Sequence, residues 1–174
     1  MRDVDDTLTR TSSGPLTATP DRYDDDRVLR YAAVVFLAAL LLHGADHLRR
    51  GFDVVTRTVS VAGNIQLVLA VVAVVLVFRR HRLAPLAAIA IGFPSAIGFA
   101  AAHLLPHWSS FSDSFTGSDV GANVNALSWV AALFEIAADL AFGVAGVLVL
   151  RQRGLHTVAQ GSSDSSSPIG QRMA

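Results

Sequence analysis

The chain contains no cysteine and no lysine, and its only methionines are Met1 and Met173. Without cysteine there is no disulfide, no thiolate metal site and no thiol nucleophile. The scarcity of methionine also argues against copper(I), which prefers soft sulfur ligands. All 14 basic residues are arginine, a bias we ascribe to codon usage rather than to chemistry. The sequence has no glycine-rich phosphate loop, no nucleophile elbow, no HExxH helix and no zinc-finger spacing. Soluble-type catalysis therefore has no support from motifs, and an enzymatic role is the less favoured reading.

What the sequence does have is apolar length. Hydrophobic residues make up 52% of the 174, and the polar ones gather in the tails and short connections. That segregation is the signature of a membrane protein. A hydrocarbon core of roughly 30 Å needs about 20 apolar residues in a helix, at about 1.5 Å rise each. Four segments meet this requirement, from about Val28 to His47, Val59 to Phe78, Leu83 to Leu105 and Asn125 to Leu150. In lipid they must be helices, because nothing there pairs with an open backbone. The second, VSVAGNIQLVLAVVAVVLVF, has no polar face that could meet water, which excludes both a soluble bundle and a surface amphipathic helix. The expected fold is all-α: an integral membrane four-helix bundle, one domain spanning residues 28–150, with disordered cytoplasmic termini.

The tails set the ends of that domain. Residues 1–27 contain Asp3, Asp5, Asp6, Asp21, Asp24, Asp25 and Asp26 among Thr, Ser and Pro, without an apolar run. This composition predicts a disordered segment rather than a cleavable leader. The Ser-rich stretch within residues 151–174 predicts the same at the other end. Orientation follows from the arginines, since positively charged connections stay in the cytoplasm. With both termini inside, eleven arginines lie inside, and only Arg49, Arg50 and Arg57 lie outside. The expected location is the cell membrane, multi-pass, with the lipid bilayer as the principal partner. The basic clusters at Arg27 and Arg30 and at Arg79 to Arg82 suit anionic headgroups rather than nucleic acid. A homo-oligomer or a membrane partner is left open.

Within the third span Pro85 suits the first helical turn, and Pro94 predicts a kink. Trp108, Phe111 and Tyr31 have the character of interfacial anchors.

Ionisable groups inside spans cost about 2.5–3.5 kcal/mol at the helix centre, so each needs a reason to be there. The first span ends in HGADH, with His43, Asp46 and His47; the second begins with Asn64 and Gln66; the third ends with His103 and His107; the fourth carries Glu135 and Asp139. The polar ends of the first three spans all point to the outer face, with Glu135 and Asp139 near mid-depth. Residues three, four or seven apart share a helix face. Ser128, Ala132, Glu135, Asp139, Gly143 and Gly146 form one such stripe, Ala88, Gly92, Ala96 and His103 another, and Ala32, Ala39, His43 and Asp46 a third. Small residues line close helix contacts in membranes, so these stripes are expected to face the bundle interior.

Three functional readings follow. His43 and His47 at i, i+4, with His103, Glu135 and Asp139, compose a candidate ligand set for a divalent metal such as zinc, iron or manganese, in a binding, sensing or transport accessory role. The alternative is a non-catalytic structural or interaction protein whose polar cluster holds the bundle together. The second alternative is a proton or ion path, disfavoured because the inner halves of the spans are almost wholly apolar. Asp46 has a simpler partner in Arg50 at i+4. His107 follows Pro106 and is the weakest member of the cluster. The polar loop from Ser109 to Val124 is either a cover over the cluster or a plain connection.

Overall fold

The computed structural model describes residues 21–117 and 123–164. The tail expected over residues 1–20, residues 165–174 of the other tail and loop residues 118–122 lie outside the described residues. Among the described residues there are four α-helices and no strands: α1 (Asp21–Arg50), α2 (Arg57–Phe78), α3 (Ala84–His103) and α4 (Ala126–Asp164), with a 3-10 turn at Phe52–Val54 between α1 and α2. All four are long and apolar enough to cross a membrane.

The helix ends follow local chemistry. Thr56 caps α2, its Oγ1 accepting from the Val59 N–H at 3.2 Å. The α2–α3 connection is tight. It turns through Arg80 at φ 53°, with the His81 N–H donating to the Leu76 carbonyl at 2.9 Å. Pro85 lies in the first turn of α3, where its missing N–H is harmless, and Pro94 lies inside a helix that continues to His103.

The helices run beyond the expected spans at both ends of the domain. α1 begins at Asp21, so residues 21–27 are helical, and α4 continues through residues 151–164. The stretch DRYDDD is acidic, which suits a helix N-terminus, where the macrodipole favours negative charge. Beyond residue 150 no proline occurs until Pro168, and Gly154 and Gly161 each cost only about 1 kcal/mol in a helix. A helix already nucleated in the bundle needs no apolar run to continue, since each further residue adds a backbone hydrogen bond without a new nucleus.

α4 is the hub. α1 and α3 both pack extensively on it, while α2 lies more lightly against α3 and α1. Glycine sets the closest approach: a Cβ on Gly92 would stand 2.6 Å from both the Asp139 carbonyl oxygen and the Gly143 nitrogen, and one on Gly146 would stand 2.5 Å from the Pro85 carbonyl oxygen. Only glycine permits those backbones to meet. The apolar core, including Leu29, Ala33, Phe36, Val77, Ala88, Phe142 and Val149, occupies the end of the bundle nearer the termini. Phe36 of α1 stacks on Phe142 of α4 with ring centroids 4.7 Å apart. Val61, Ile65, Val68, Val71 and Val72 of α2 are exposed, as they should be on a face that meets lipid.

Candidate metal centre

The three small-residue stripes turn inward. Ser128, Ala132, Glu135 and Asp139 have no exposure, Ala39, His43 and Asp46 have at most 4%, and Ala88, Ala96 and His103 at most 3%. The end of the bundle carrying the α1–α2 and α3–α4 connections therefore holds a buried polar layer.

At its centre a ring nitrogen from each of His43, His47 and His103 lies within 4.8 Å of those of the other two. The Nε2 atoms of His43 and His47 are 3.0 Å apart, the direct result of an i, i+4 pair on α1. His103, the last residue of α3, brings its ring to 4.9 Å from that of His43. Its Nδ1 lies 3.0 Å from the Asp113 backbone carbonyl, an atom that only accepts. Nδ1 therefore carries the hydrogen, which leaves Nε2 with the lone pair a metal would use. Phe99 and Phe115 flank the group, with centroids 4.9 Å from His43 and 4.6 Å from His103 respectively.

Asp113 belongs to a loop that folds back over the histidines. Its N–H donates to the Ala102 carbonyl, and the Phe115 N–H donates to the His103 carbonyl, each at 3.0 Å. Its carboxylate accepts two bonds from Arg50, at 2.6 and 2.7 Å, and both residues are buried. The Arg50 guanidinium also lies 5.1 Å from the centroid of the Phe115 ring. Further along, Ser112 Oγ accepts from the Trp108 and Ser109 N–H groups, and Thr56 Oγ1 donates to the Ser110 carbonyl. Between Leu104 and Gly117 the connection is thus a cover, tied to α1, α2 and α3.

Several expected members stand elsewhere. Asp46 does not pair with Arg50. It accepts from Arg49 Nε at 3.0 Å, and Arg49 in turn reaches Ser128 Oγ at 3.0 Å, joining α1 to the start of α4. Arg50 points the other way, to Asp113. His107 is exposed in the loop, outside the cluster. Asn64 is also exposed, bonding its own helix at the Ser60 carbonyl, while Gln66 donates to Ser95 Oγ at 3.0 Å and joins α2 to α3. Glu135 and Asp139 are not in the close histidine group, and all four of their carboxylate oxygens are buried without a hydrogen-bond partner.

Sequence reasoning missed Arg50 and Asp113 as a pair. The available signal was faint: an aspartate in a loop with no basic residue, and an arginine with two acidic candidates.

The donor set fits a metal. Zn–N bonds of about 2.0–2.1 Å in a tetrahedron place ligand nitrogens about 3.3 Å apart, close to the His43–His47 separation and within a side-chain adjustment for His103. Three imidazoles with a fourth position left for solvent suit zinc, and nitrogen ligation also suits iron or manganese. The backbone bond to His103 Nδ1 is the kind of outer contact that fixes a ligand's tautomer. No family model, no curated protein and no solved structure matches the chain.

Proposed function

We propose that the protein is a metal-binding membrane protein, in which His43, His47 and His103 hold a divalent transition metal ion at the end of the bundle facing away from the cytoplasm. The observation that carries this reading is the convergence of three imidazole nitrogens within 4.8 Å, under a loop pinned by a buried ion pair. The asymmetry of the arginines supports the orientation, with both termini cytoplasmic in the cell membrane. The role is sensing or accessory to transport, in keeping with a site that lies beneath a covering loop tied down by a buried ion pair.

The rival is a purely structural cluster. The 3.0 Å His43–His47 contact favours it, being a good hydrogen bond by itself. However, a cluster kept only for packing should be paired throughout, and His43 Nδ1, Glu135 and Asp139 lack partners. A through-going ion path is the weaker alternative, because the stacked Phe36 and Phe142, both fully buried, fill the core on the terminal side of Asp139.

The test is elemental analysis of the detergent-purified full chain after zinc loading and desalting, wild type beside His103→Ala and His47→Ala. The proposal expects each variant to lose one equivalent of zinc while remaining folded. A wild type that retains no zinc, iron or manganese after loading would remove the metal reading and leave the structural one.

A further inference from the structure

The four unpartnered carboxylate oxygens stand apart from the histidine group and ask for a second explanation. Glu135 is the chain's only glutamate, and Asp139 follows it by one helical turn on the same face of α4. Both side chains have zero exposure. A buried carboxylate is ordinarily compensated by two or three donors, and in a membrane interior the need is greater still. Here no N–H or O–H group among the described residues approaches either one within hydrogen-bond distance.

Helix register places a third unsatisfied group beside them. α1 and α4 are antiparallel and pinned at two points, Phe36 on Phe142 and Arg49 on Ser128. Interpolating between those contacts sets His43 opposite Glu135 and Ala39 opposite Asp139. His43 is 4% exposed, and its Nε2 faces His47 while its Nδ1 is buried without a partner. The two nitrogens of an imidazole point in diverging directions, so Nδ1 is turned away from the histidine group. On α3, the contact of Gly92 with Asp139 and Gly143 puts Ser95, one turn further toward the loop end, at the level of these carboxylates. Ser95 is 8% exposed and already accepts from Gln66, which leaves its own O–H to donate. On the terminal side the column is closed by Phe36 and Phe142.

We propose that Glu135 and Asp139 form a second, inner cation site, distinct from the histidine centre and one to two helical turns deeper, which takes a single divalent cation through carboxylate oxygens. Charge selects the valence: two ionised carboxylates in a low-dielectric, donor-poor space are neutralised together by one divalent ion and only half by a monovalent one. Oxygen ligands select a hard or borderline ion such as Mn²⁺, Mg²⁺ or Ca²⁺. His43, bound to the histidine centre through Nε2, carries its hydrogen on Nδ1, so at this level it offers an N–H toward the carboxylates rather than a ligand nitrogen, and the inner site is oxygen-only. The bundle then contains two stations in line, nitrogen-rich near the loop end and oxygen-rich at mid-depth, and the aromatic stack makes the inner one a terminus.

The experiment is a titration of the detergent-solubilised full chain with Mn²⁺ alone, counting bound ion by loss of the free-ion electron paramagnetic resonance signal. Wild type is compared with His103→Ala and with the isosteric double variant Glu135→Gln/Asp139→Asn. The inference expects two equivalents in the wild type and one in each variant. It is overturned if the double variant binds as much Mn²⁺ as the wild type, since the carboxylates would then hold no ion. One equivalent in the wild type, kept in His103→Ala and lost in the double variant, would support the inner site while refuting the histidine centre. The wild-type stoichiometry does not depend on any variant folding, and a single equivalent lost only in His103→Ala overturns the inference by itself.

Discussion

Replacing Asp113 by Ala isolates what holds the cover in place. The carboxylate makes two short bonds to Arg50, at 2.6 and 2.7 Å, with the Arg50 side chain at 0% and that of Asp113 at 5% exposure. Removing one partner of a buried pair costs up to about 3–5 kcal/mol, because the other charge loses a two-bond counter-ion. The chain has a way to relieve this: the cover swings off, and Arg50 is wetted at the membrane surface. The cost therefore shows as local opening between Leu104 and Gly117, not as collapse of the helices below. At about 1.4 kcal/mol per tenfold change, a cost of about 3 kcal/mol raises the opening equilibrium by about 100-fold. Amide hydrogen exchange reads this directly at the Asp113 and Phe115 N–H groups, whose acceptors are the Ala102 and His103 carbonyls. For Asp113, alanine keeps that backbone bond, so its N–H is a fair probe in the variant itself. Core amides such as Ala88 should change little. Replacing both partners with apolar residues, Arg50→Met with Asp113→Leu, should recover part of the protection, because the buried carboxylate and guanidinium are removed together. Exchange at Phe115 that is no more than about 3-fold faster in Asp113→Ala would refute the claim that the pair pins the cover.

Other consequences are quickly checked. Gly92→Ala forces a methyl to within 2.6 Å of the α4 backbone, and its thermal unfolding should show a loss beyond the about 1–3 kcal/mol of ordinary overpacking. Gly98→Ala, on the same helix with nothing within 4 Å, should be neutral or stabilising by up to about 1 kcal/mol from helix propensity. His107→Ala, exposed and outside the cluster, should leave bound metal unchanged and shift stability by less than about 0.5 kcal/mol.

The spans were legible because membrane thickness demands apolar runs that few other constraints produce, and α2 states this without interruption. The inward stripes were legible for the same kind of reason, since helical spacing of small and polar residues such as Gly92, Ala96, Ser128 and Glu135 leaves one face that lipid would reject. HGADH announced two neighbouring imidazoles on one face of α1. What periodicity could not encode is how loops fold back and how far helices slide. The Arg50–Asp113 pair depends on the path of the α3–α4 connection, which has no repeat. The choice of Arg49 rather than Arg50 for Asp46 turns on about 100° of helix rotation between consecutive residues. Glu135 and Asp139 fall outside the close histidine group for a related reason. Their helix and depth were readable, but the offset that separates them from His47 and His103 is fixed by the Gly92 and Phe142 contacts.

X-ray absorption spectroscopy of the full chain loaded with one equivalent of zinc reads the ligands of the histidine centre themselves. The histidine centre predicts a nitrogen shell at about 2.0–2.1 Å with the outer-shell scattering of three imidazoles, and its loss in His103→Ala. An all-oxygen shell, or a spectrum unchanged in His103→Ala, would contradict it.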